Sequence, residues 1–485
     1  MNAVHSAVGA DATTPRRRDI AGIMIAFLSA ILAFQLNSSM LSPALVTMAR
    51  ELHASDDAVA ATQSAFFTSA ALFSIFMPRL GDLIGRRRVL VGMLTVMAFG
   101  SVVAALSPNV AILFVGRLLQ GISGPIIPIC LVILRDLVPS PKRYGLLMGI
   151  VAAVNGGIAG VDALLGGHLA VNYGYPSLFW TMALVAVVAA TLTRLLTPES
   201  TAAQRPRMDW AGSALFVLSI GSLLVSVNEF GDMPIGLLVL LVVVSLGSFA
   251  VLWRTEARSP HPLVSTAQLK ERATWAVVGT AFLTLAGVFA VMNGVVPALA
   301  QDRAVGLGFT AEEVSWWMLA PYAIAGLIVG PLSGRLAASL GYRLMLRVGI
   351  VGSVVALAIF VLTLGGVSRG AILLLSIAVG VTYAGMANIM LNGLGVVLSP
   401  SVRPGSLPGL NTAGFNLGAG FSFIVIYAAQ TAFASGGSNP RGGYAAALLV
   451  GAIILLGAFA LSFFIPRPAE AEERRVREGA VPARS

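Results

Sequence analysis

The chain has 485 residues, 57% of them hydrophobic and only 11% charged, against roughly 25% charged in soluble globular domains, which excludes a soluble fold. A formal net charge of +10 would suit a nucleic-acid binder, but the basic residues are sorted between loops rather than gathered in a patch, and nucleic acid is excluded as a partner. The one cysteine, Cys130, lies inside an apolar run, so no internal disulfide forms, and no Cys/His cluster indicates a metal.

Apolar residues come in fourteen runs, most near the length of about 20 that carries a helix across hydrocarbon: 20–42, 58–78, 89–107, 110–134, 144–170, 178–196, 210–228, 234–253, 274–300, 314–334, 344–366, 370–398, 406–433 and 444–465. The prediction is an all-α integral membrane protein with fourteen spans. Arg16 to Arg18 precede the first run, which is too long for a signal-peptide core and has no small-residue cleavage site, so it reads as a first helix. With both termini cytoplasmic, 26 Lys and Arg fall inside, four outside (Arg50, Arg303, Arg369, Arg441) and Arg117 within a span. Such sorting fixes orientation and favours an even number of spans; the expected location is the cell membrane. The tails, 1–19 and 467–485, have the composition of disordered segments.

In chain order, the first run carries Leu36-Asn37-Ser38-Ser39, and the second ends in a basic turn, Pro78 to Arg88. The fourth run contains Arg117, Gln120, Gly121 and Gly124. The fifth holds Asp162 among Gly156, Gly157, Gly160, Gly166 and Gly167. Glycines let membrane helices approach closely and bend. Runs seven and eight lie between polar loops and read as spacers on the outside; Glu229 and Asp232 fall in their outer turn. Arg79, Leu80, Gly85 and Arg87 then recur 256 residues on as Arg335, Leu336, Gly341 and Arg343, and Arg143, Gly145, Gly149 and Gly160 recur at 260 as Arg403, Gly405, Gly409 and Gly420. A charged turn repeated between membrane-length segments marks a duplicated helical transporter. The expected division is a six-helix bundle at 20–197, a two-helix insert at 198–273 and a second six-helix bundle at 274–466.

Asp82-x-x-Gly85-Arg86-Arg87 resembles motif A of the major facilitator superfamily, and Arg117-x-x-Gln120-Gly121 its motif B. Gly166-Gly167 resembles the end of the antiporter motif C. Asp209-Trp210-x-Gly212 and Pro297-x-x-x-Gln301 are similar to features of the fourteen-span drug:proton antiporter branch. There are departures: Pro78 and Leu83 replace a glycine and a basic residue in motif A, Asp162 and Ala163 replace Gly-Pro in motif C, and Asn37 stands where the branch has an aspartate. The resemblance implies gating by Asp82, Gly85, Arg86, Arg87, Gly121, Gly166 and Gly167, with Asp82 accepting hydrogen bonds from the start of helix 13 when the inside is closed.

Charges within the bilayer cost roughly 2.5–3.5 kcal/mol each on insertion scales. Arg117 and Asp162 lie about 10–12 Å from the same membrane face at 1.5 Å per residue, on consecutive antiparallel helices. Two readings stand: a permanent ion pair locking helices 4 and 5, or a proton carrier, Asp162, modulated by Arg117. A carboxyl alone in an apolar site holds its proton, whereas beside a guanidinium it releases it. Asn37 is then a hydrogen-bonding partner of substrate or of Asp162. The candidate substrate cavity comprises Gln35, Phe34, Asn155, Asn293, Tyr322, Asn388 and Asn416, with Gln63, Phe66, Phe67, Trp317, Tyr383, Asn392, Asn411 and Tyr427 as further polar and aromatic candidates. His168 near the outer mouth is a candidate proton relay.

No P-loop or His-Glu-x-x-His occurs in the sequence, so no enzyme, no cofactor and no ATP drive is expected. The resemblance implies a monomeric, proton-coupled exporter of small amphipathic or hydrophobic compounds, working by alternating access and powered by the proton gradient. The alternatives are a metabolite importer or symporter on the same fold, and a membrane sensor without transport.

Overall fold

The computed structural model describes residues 17–138, 140–199, 210–228, 234–258, 266–399, 406–434 and 439–467. Every regular element among them is helical. The first six principal helices are α1 (Arg17–Ser39), α2 (Asp56–Ile84), α3 (Arg86–Ala105), α4 (Val110–Gly121 continuing as Ile126–Leu137), α5 (Pro141–Tyr173) and α6 (Pro176–Leu196). Next come α7 (Trp210–Asn228) and α8 (Ile235–Arg258). The last six are α9 (Arg272–Ala290 to Val296–Gln301), α10 (Ala311–Val314 to Ala320–Leu340), α11 (Tyr342–Leu362), α12 (Arg369–Val379 to Asn388–Val397), α13 (Ser406–Phe433) and α14 (Pro440–Ser462). Each apolar run of the sequence coincides with one of these. By length and hydropathy eleven of the described helices can cross a membrane, or twelve if the bent α2 is one span, fewer than the fourteen expected; α5 and α7 lie outside that count.

Short polar side chains start the helices. The Ser55 hydroxyl accepts from the Ala58 amide at 3.3 Å, Asn109 Oδ1 from Ile112 at 3.0 Å and Ser368 from Ala371 at 3.1 Å. Thr310 and Glu313 form a reciprocal capping box at α10. The sequence repeat is visible in the backbone. Gly85 ends α2 with φ +108° and Gly341 ends α10 with φ +87°, left-handed conformations that glycine adopts without a Cβ penalty.

Helices α1 to α6 pack among themselves (α2 on α4, α3 on α6, α1 on α6), as do α9 to α14 (α9 on α13 and α14, α10 on α12, α11 on α14). The two groups meet along α2/α13 and α5/α10. Among the described residues, the hydrogen bonds between the groups lie at the end opposite the Gly85 and Gly341 turns. Thr431 donates to both Asp57 oxygens at 2.7 and 2.8 Å, Ser42 to Asn293 Oδ1 at 3.1 Å, and Ser315 to the Ala163 carbonyl at 2.7 Å.

α7 and α8 pack chiefly on each other, and α8 leaves a large apolar surface exposed, including Leu240, Val243 and Leu246. Serines deep in both helices join them: Ser219 Oγ donates to the Ser245 carbonyl at 3.1 Å and Ser245 Oγ to the Ser219 carbonyl at 2.9 Å. Small hydroxyls that bond across helices hold such pairs together where hydrocarbon supplies no hydrophobic drive. Glu229 and Asp232 lie outside the described residues.

At Gly124 a Cβ would run into the Ala70 backbone, and at Gly116 it would lie 2.9 Å from the Gly100 carbonyl oxygen. These contacts set the spacing of α4 against α2 and α3. Gly116→Val is expected to destabilise the purified protein by about 1–3 kcal/mol, seen as a lower midpoint of thermal unfolding in detergent; an unchanged midpoint would show that this approach is not tight.

Candidate functional site

A cavity of about 490 Å³ lies between the two helix groups. Its described wall is built by α1 (Gln35, Ser38, Ser39), α2 (Phe67), α5 (Ala163), α9 (Leu285, Phe289, Asn293), α10 from Leu319 to Gly334, α12 (Tyr383, Ala384, Asn388, Ile389) and α13 (Phe415, Asn416, Ala419). No Asp, Glu, Lys or Arg occurs among the described lining residues. Amides, hydroxyls and aromatic rings supply its chemistry.

Three of the lining helices depart from regular α geometry at the cavity. The π segments are Val291–Val295 in α9, Ser315–Leu319 in α10 and Gly380–Ala387 in α12. Asn293 sits in the first, Leu319 closes the second, and Tyr383 and Ala384 belong to the third. Such bulges recur at functional sites because the extra residue re-aims side chains. Phe67 reaches across between the groups, edge-on to Phe289 at 5.0 Å and stacked with Phe423 at 6.4 Å.

Of the expected cavity residues, Gln35, Asn293, Tyr322, Asn388 and Asn416 line this space, as do Phe67 and Tyr383. Phe34 is buried outside the wall, 5.8 Å from Phe66. Asn155 lies on α5 at a position whose side chain is outside the described residues. Asn392 bonds back to Asn388 on the next turn, Asn411 bonds the Leu391 carbonyl, and Trp317 is partly exposed near Arg369. Tyr427 stacks on Phe423 at 6.2 Å, toward the closed end.

Arg117 is fully buried but is not joined to Asp162; no ion pair between them occurs among the described residues. Its guanidinium donates to Gln120 Oε1 at 2.7 Å, Gln63 Oε1 at 2.6 Å and the Asn37 carbonyl at 3.1 Å, and lies 4.3 Å from the centre of the Phe66 ring. Asp162, also buried, accepts through Oδ2 from the Ser39 hydroxyl, while Oδ1 has no partner among the described residues. Similar depth does not set the rotation of two helices, and α1 separates the charges, taking Arg117 on its main chain and Asp162 on Ser39. Asn37 meets neither carboxyl nor cavity; its amide donates to the Ala33 carbonyl at 2.8 Å. Gln35 Nε2 donates to Ser39 Oγ at 2.9 Å, so a polar chain Gln35–Ser39–Asp162 runs from the cavity to a carboxyl one layer behind its wall. Ser39 was not singled out in the sequence; the available signal was a hydroxyl two positions from Asn37 in the same polar cluster.

At the other end of α2, Asp82 pairs with Arg86 at 2.8 Å; the segment leading into helix 13, residues 400–405, lies outside the described residues, and with it the expected contact to Asp82. Arg86 also pairs with Asp136. Glu199, not foreseen from sequence, clasps the turn. It accepts from the Arg87 amide at 3.2 Å, pairs with Arg87 and Arg88 at 3.4 and 3.5 Å, and fills the space beside Gly85. Gly121 faces the Phe66 carbonyl and Ser69, Gly166 faces Met40, and Gly167 faces Ser315 and Ala311, each where two helices touch. His168 is exposed, 3.8 Å from Glu312 of the opposite group.

The family model described as "Major Facilitator Superfamily" matches residues 27–423 and 278–485. The "Uridine/deoxyuridine transporter" of Lactococcus lactis is 48% identical over 457 residues, covering 92% of this chain and 95% of that protein. The "Multidrug resistance protein Stp" of Mycobacterium tuberculosis is 24% identical over 426 residues, covering 87% and 76%. Among solved structures the human organic anion transporter MFSD10 (TETRAN) matches in fold, with a TM-score of 0.61 at 17% identity over 92% of this chain and 99% of that one. The expectation of drug efflux is overturned by the far greater likeness to the uridine/deoxyuridine transporter than to the multidrug protein. The motifs behind that expectation sit in turns and helix contacts, which report the scaffold and not the substrate.

Arg117→Lys tests the amide cradle. One ammonium cannot reach Gln63, Gln120 and the Asn37 carbonyl together in the fork geometry of arginine, and each buried group left unpaired costs about 1–3 kcal/mol. The variant is expected to unfold at a clearly lower temperature in detergent; wild-type stability would mean that these bonds contribute little.

Proposed function

The chain belongs to the major facilitator superfamily and is a multi-pass protein of the cell membrane, and we propose that it carries uncharged pyrimidine nucleosides, uridine and deoxyuridine, into the cell. The observation that carries this reading is the charge-free wall of amides, hydroxyls and rings between the helix groups, in a chain 48% identical to a uridine/deoxyuridine transporter. Uridine is neutral at pH 7 and pairs a flat ring with several hydroxyls and carbonyls. Such a molecule needs aromatic faces and hydrogen-bonding partners, and a buried fixed charge would penalise it. The volume of about 490 Å³ falls in the range of roughly 300–1,000 Å³ for small-molecule sites.

Transport proceeds by alternating access between the groups α1–α6 and α9–α14, with α7 and α8 as an insert. All fourteen helices span the bilayer, and both termini and the Gly85 and Gly341 turns face the cytoplasm, a reading supported by the 26-to-4 sorting of basic residues. In the conformation described, the bonds Asp57–Thr431, Ser42–Asn293 and Ser315–Ala163 close the outer side. The cavity wall runs along α10 to Gly334, toward the cytoplasmic turn. The energy source is the proton gradient, with Asp162 as the coupling carboxyl. Through Ser39 and Gln35 its protonation is linked to the cavity. The transporter works as a monomer.

Proteoliposomes containing the purified protein are expected to take up labelled uridine, with saturation and with competition by deoxyuridine. An inward proton gradient should drive accumulation. Asp162→Asn should abolish that accumulation and leave uridine exchange across the membrane in place. No nucleoside transport by the wild type would refute the substrate; full accumulation by the variant would refute the coupling role.

A further inference from the structure

Asn388 occupies the cavity wall on α12, and Asn392 lies one turn further along the same helix. Asn392 Nδ2 sits 2.9 Å from the main-chain oxygen of Asn388 and 3.1 Å from its Oδ1. A main-chain carbonyl only accepts, so the Asn392 atom facing it must be the nitrogen. The Asn388 atom facing that nitrogen must then be the oxygen. Ordinarily the two ends of an amide are interchangeable; here a carbonyl fixes them in sequence. The Asn388 oxygen is occupied, and its NH2 has no hydrogen-bond partner among the described residues, on a half-buried side chain of the wall.

On α10 and α12 the lining beside Asn388 includes the apolar Leu327, Gly330, Pro331, Ala384 and Ile389 together with the hydroxyl-bearing Tyr322 and Tyr383, and Ile389 packs 3.6 Å from the position of a Cβ on Gly330. The hydroxyl and amide groups of Gln35, Ser38, Ser39 and Asn293 lie on α1 and α9. A ribose, rich in hydroxyls, finds its partners at those two helices. The base would then turn its far edge, which carries the 4-position oxygen and the ring N–H, toward α10 and α12 and the oriented donor of Asn388.

We propose that Asn388 selects uracil over cytosine by donating to the oxygen at the 4-position of the base, and that Asn392 acts as its positioning residue by preventing the amide from turning over. This rests on the nucleoside reading above. Uracil presents a carbonyl at that position and cytosine an amino group. A donor held in place meets an acceptor in one case and a second donor in the other. A freely rotating amide would offer its oxygen to cytosine and read neither base. Leaving a buried polar group without a partner is the device by which sites reject close analogues.

The test is competition between uridine and cytidine for labelled-uridine transport by the full-length protein in proteoliposomes. The wild type is expected to prefer uridine by about tenfold or more. Asn388→Asp replaces the donor by an acceptor and should shift the ratio toward cytidine. Asn392→Ala frees the amide and should bring the ratio at least about threefold closer to one. Damage to folding or to the transport cycle lowers both substrates together and leaves the ratio unmoved, so the ratio is the readout. A wild type that takes uridine and cytidine equally, or variants that keep the wild-type ratio, would overturn the assignment while leaving nucleoside transport standing. Absence of nucleoside transport by the wild type would overturn both.

Discussion

Hydrocarbon offers no hydrogen bonds, so each polar group between the helix groups must find its partner inside the protein. That constraint accounts for the arrangement around α1. Among the described residues no carboxylate pairs with the guanidinium of Arg117; two glutamine amides, a main-chain carbonyl and the face of Phe66 hold it. Asp162 rests on a serine hydroxyl. With the buried charges kept behind the wall, the space between the groups is free of fixed charge among its described residues and suits a neutral polar molecule. The same constraint explains the serine pair joining α7 to α8.

The second feature is the asymmetry between the two ends of the molecule. At one end, hydrogen bonds and the Phe67–Phe289–Phe423 contacts join the groups. At the other, the described ion pairs tie α2, α3, α4 and the residues after α6 within one group: Arg86 to Asp82 and Asp136, Arg87 and Arg88 to Glu199. The hydrogen bonds across the groups are of the kind worth about 1 kcal/mol, or about 1.5–3 kcal/mol where the Asp57 carboxylate accepts. A set of such bonds can be exchanged for another at small net cost, as a carrier whose two states are nearly balanced requires.

Much of the scaffold was legible in the sequence. Membrane-length apolar runs fell on helices because the bilayer fixes how long an apolar segment must be. Gly85 and Gly341 were visible as a repeat because both turns need a positive φ that glycine supplies. Six amide and tyrosine candidates reached the cavity, since polar residues within spans point inward. What stayed hidden was rotation. Arg117 and Asp162 share a depth, but depth along a helix leaves its azimuth free, and α1 came between them. The π segments that aim Asn293 and Tyr383 into the cavity leave no periodic signature. Ser39 and Glu199 are ordinary residues whose partners lie 123 and 112 positions away. The drug-efflux reading failed for a further reason: motifs at turns and helix contacts belong to the scaffold that the whole family shares and do not specify a substrate.

The central claim is that an uncharged nucleoside occupies the space between the helix groups. The most direct measurement is a structure of the purified protein determined with saturating uridine. The account predicts the nucleoside between α1, α9, α12 and α13, its base at Asn388 and its ring within reach of Phe289 or Phe415. Uridine bound elsewhere, or an empty cavity at saturating uridine, would contradict it.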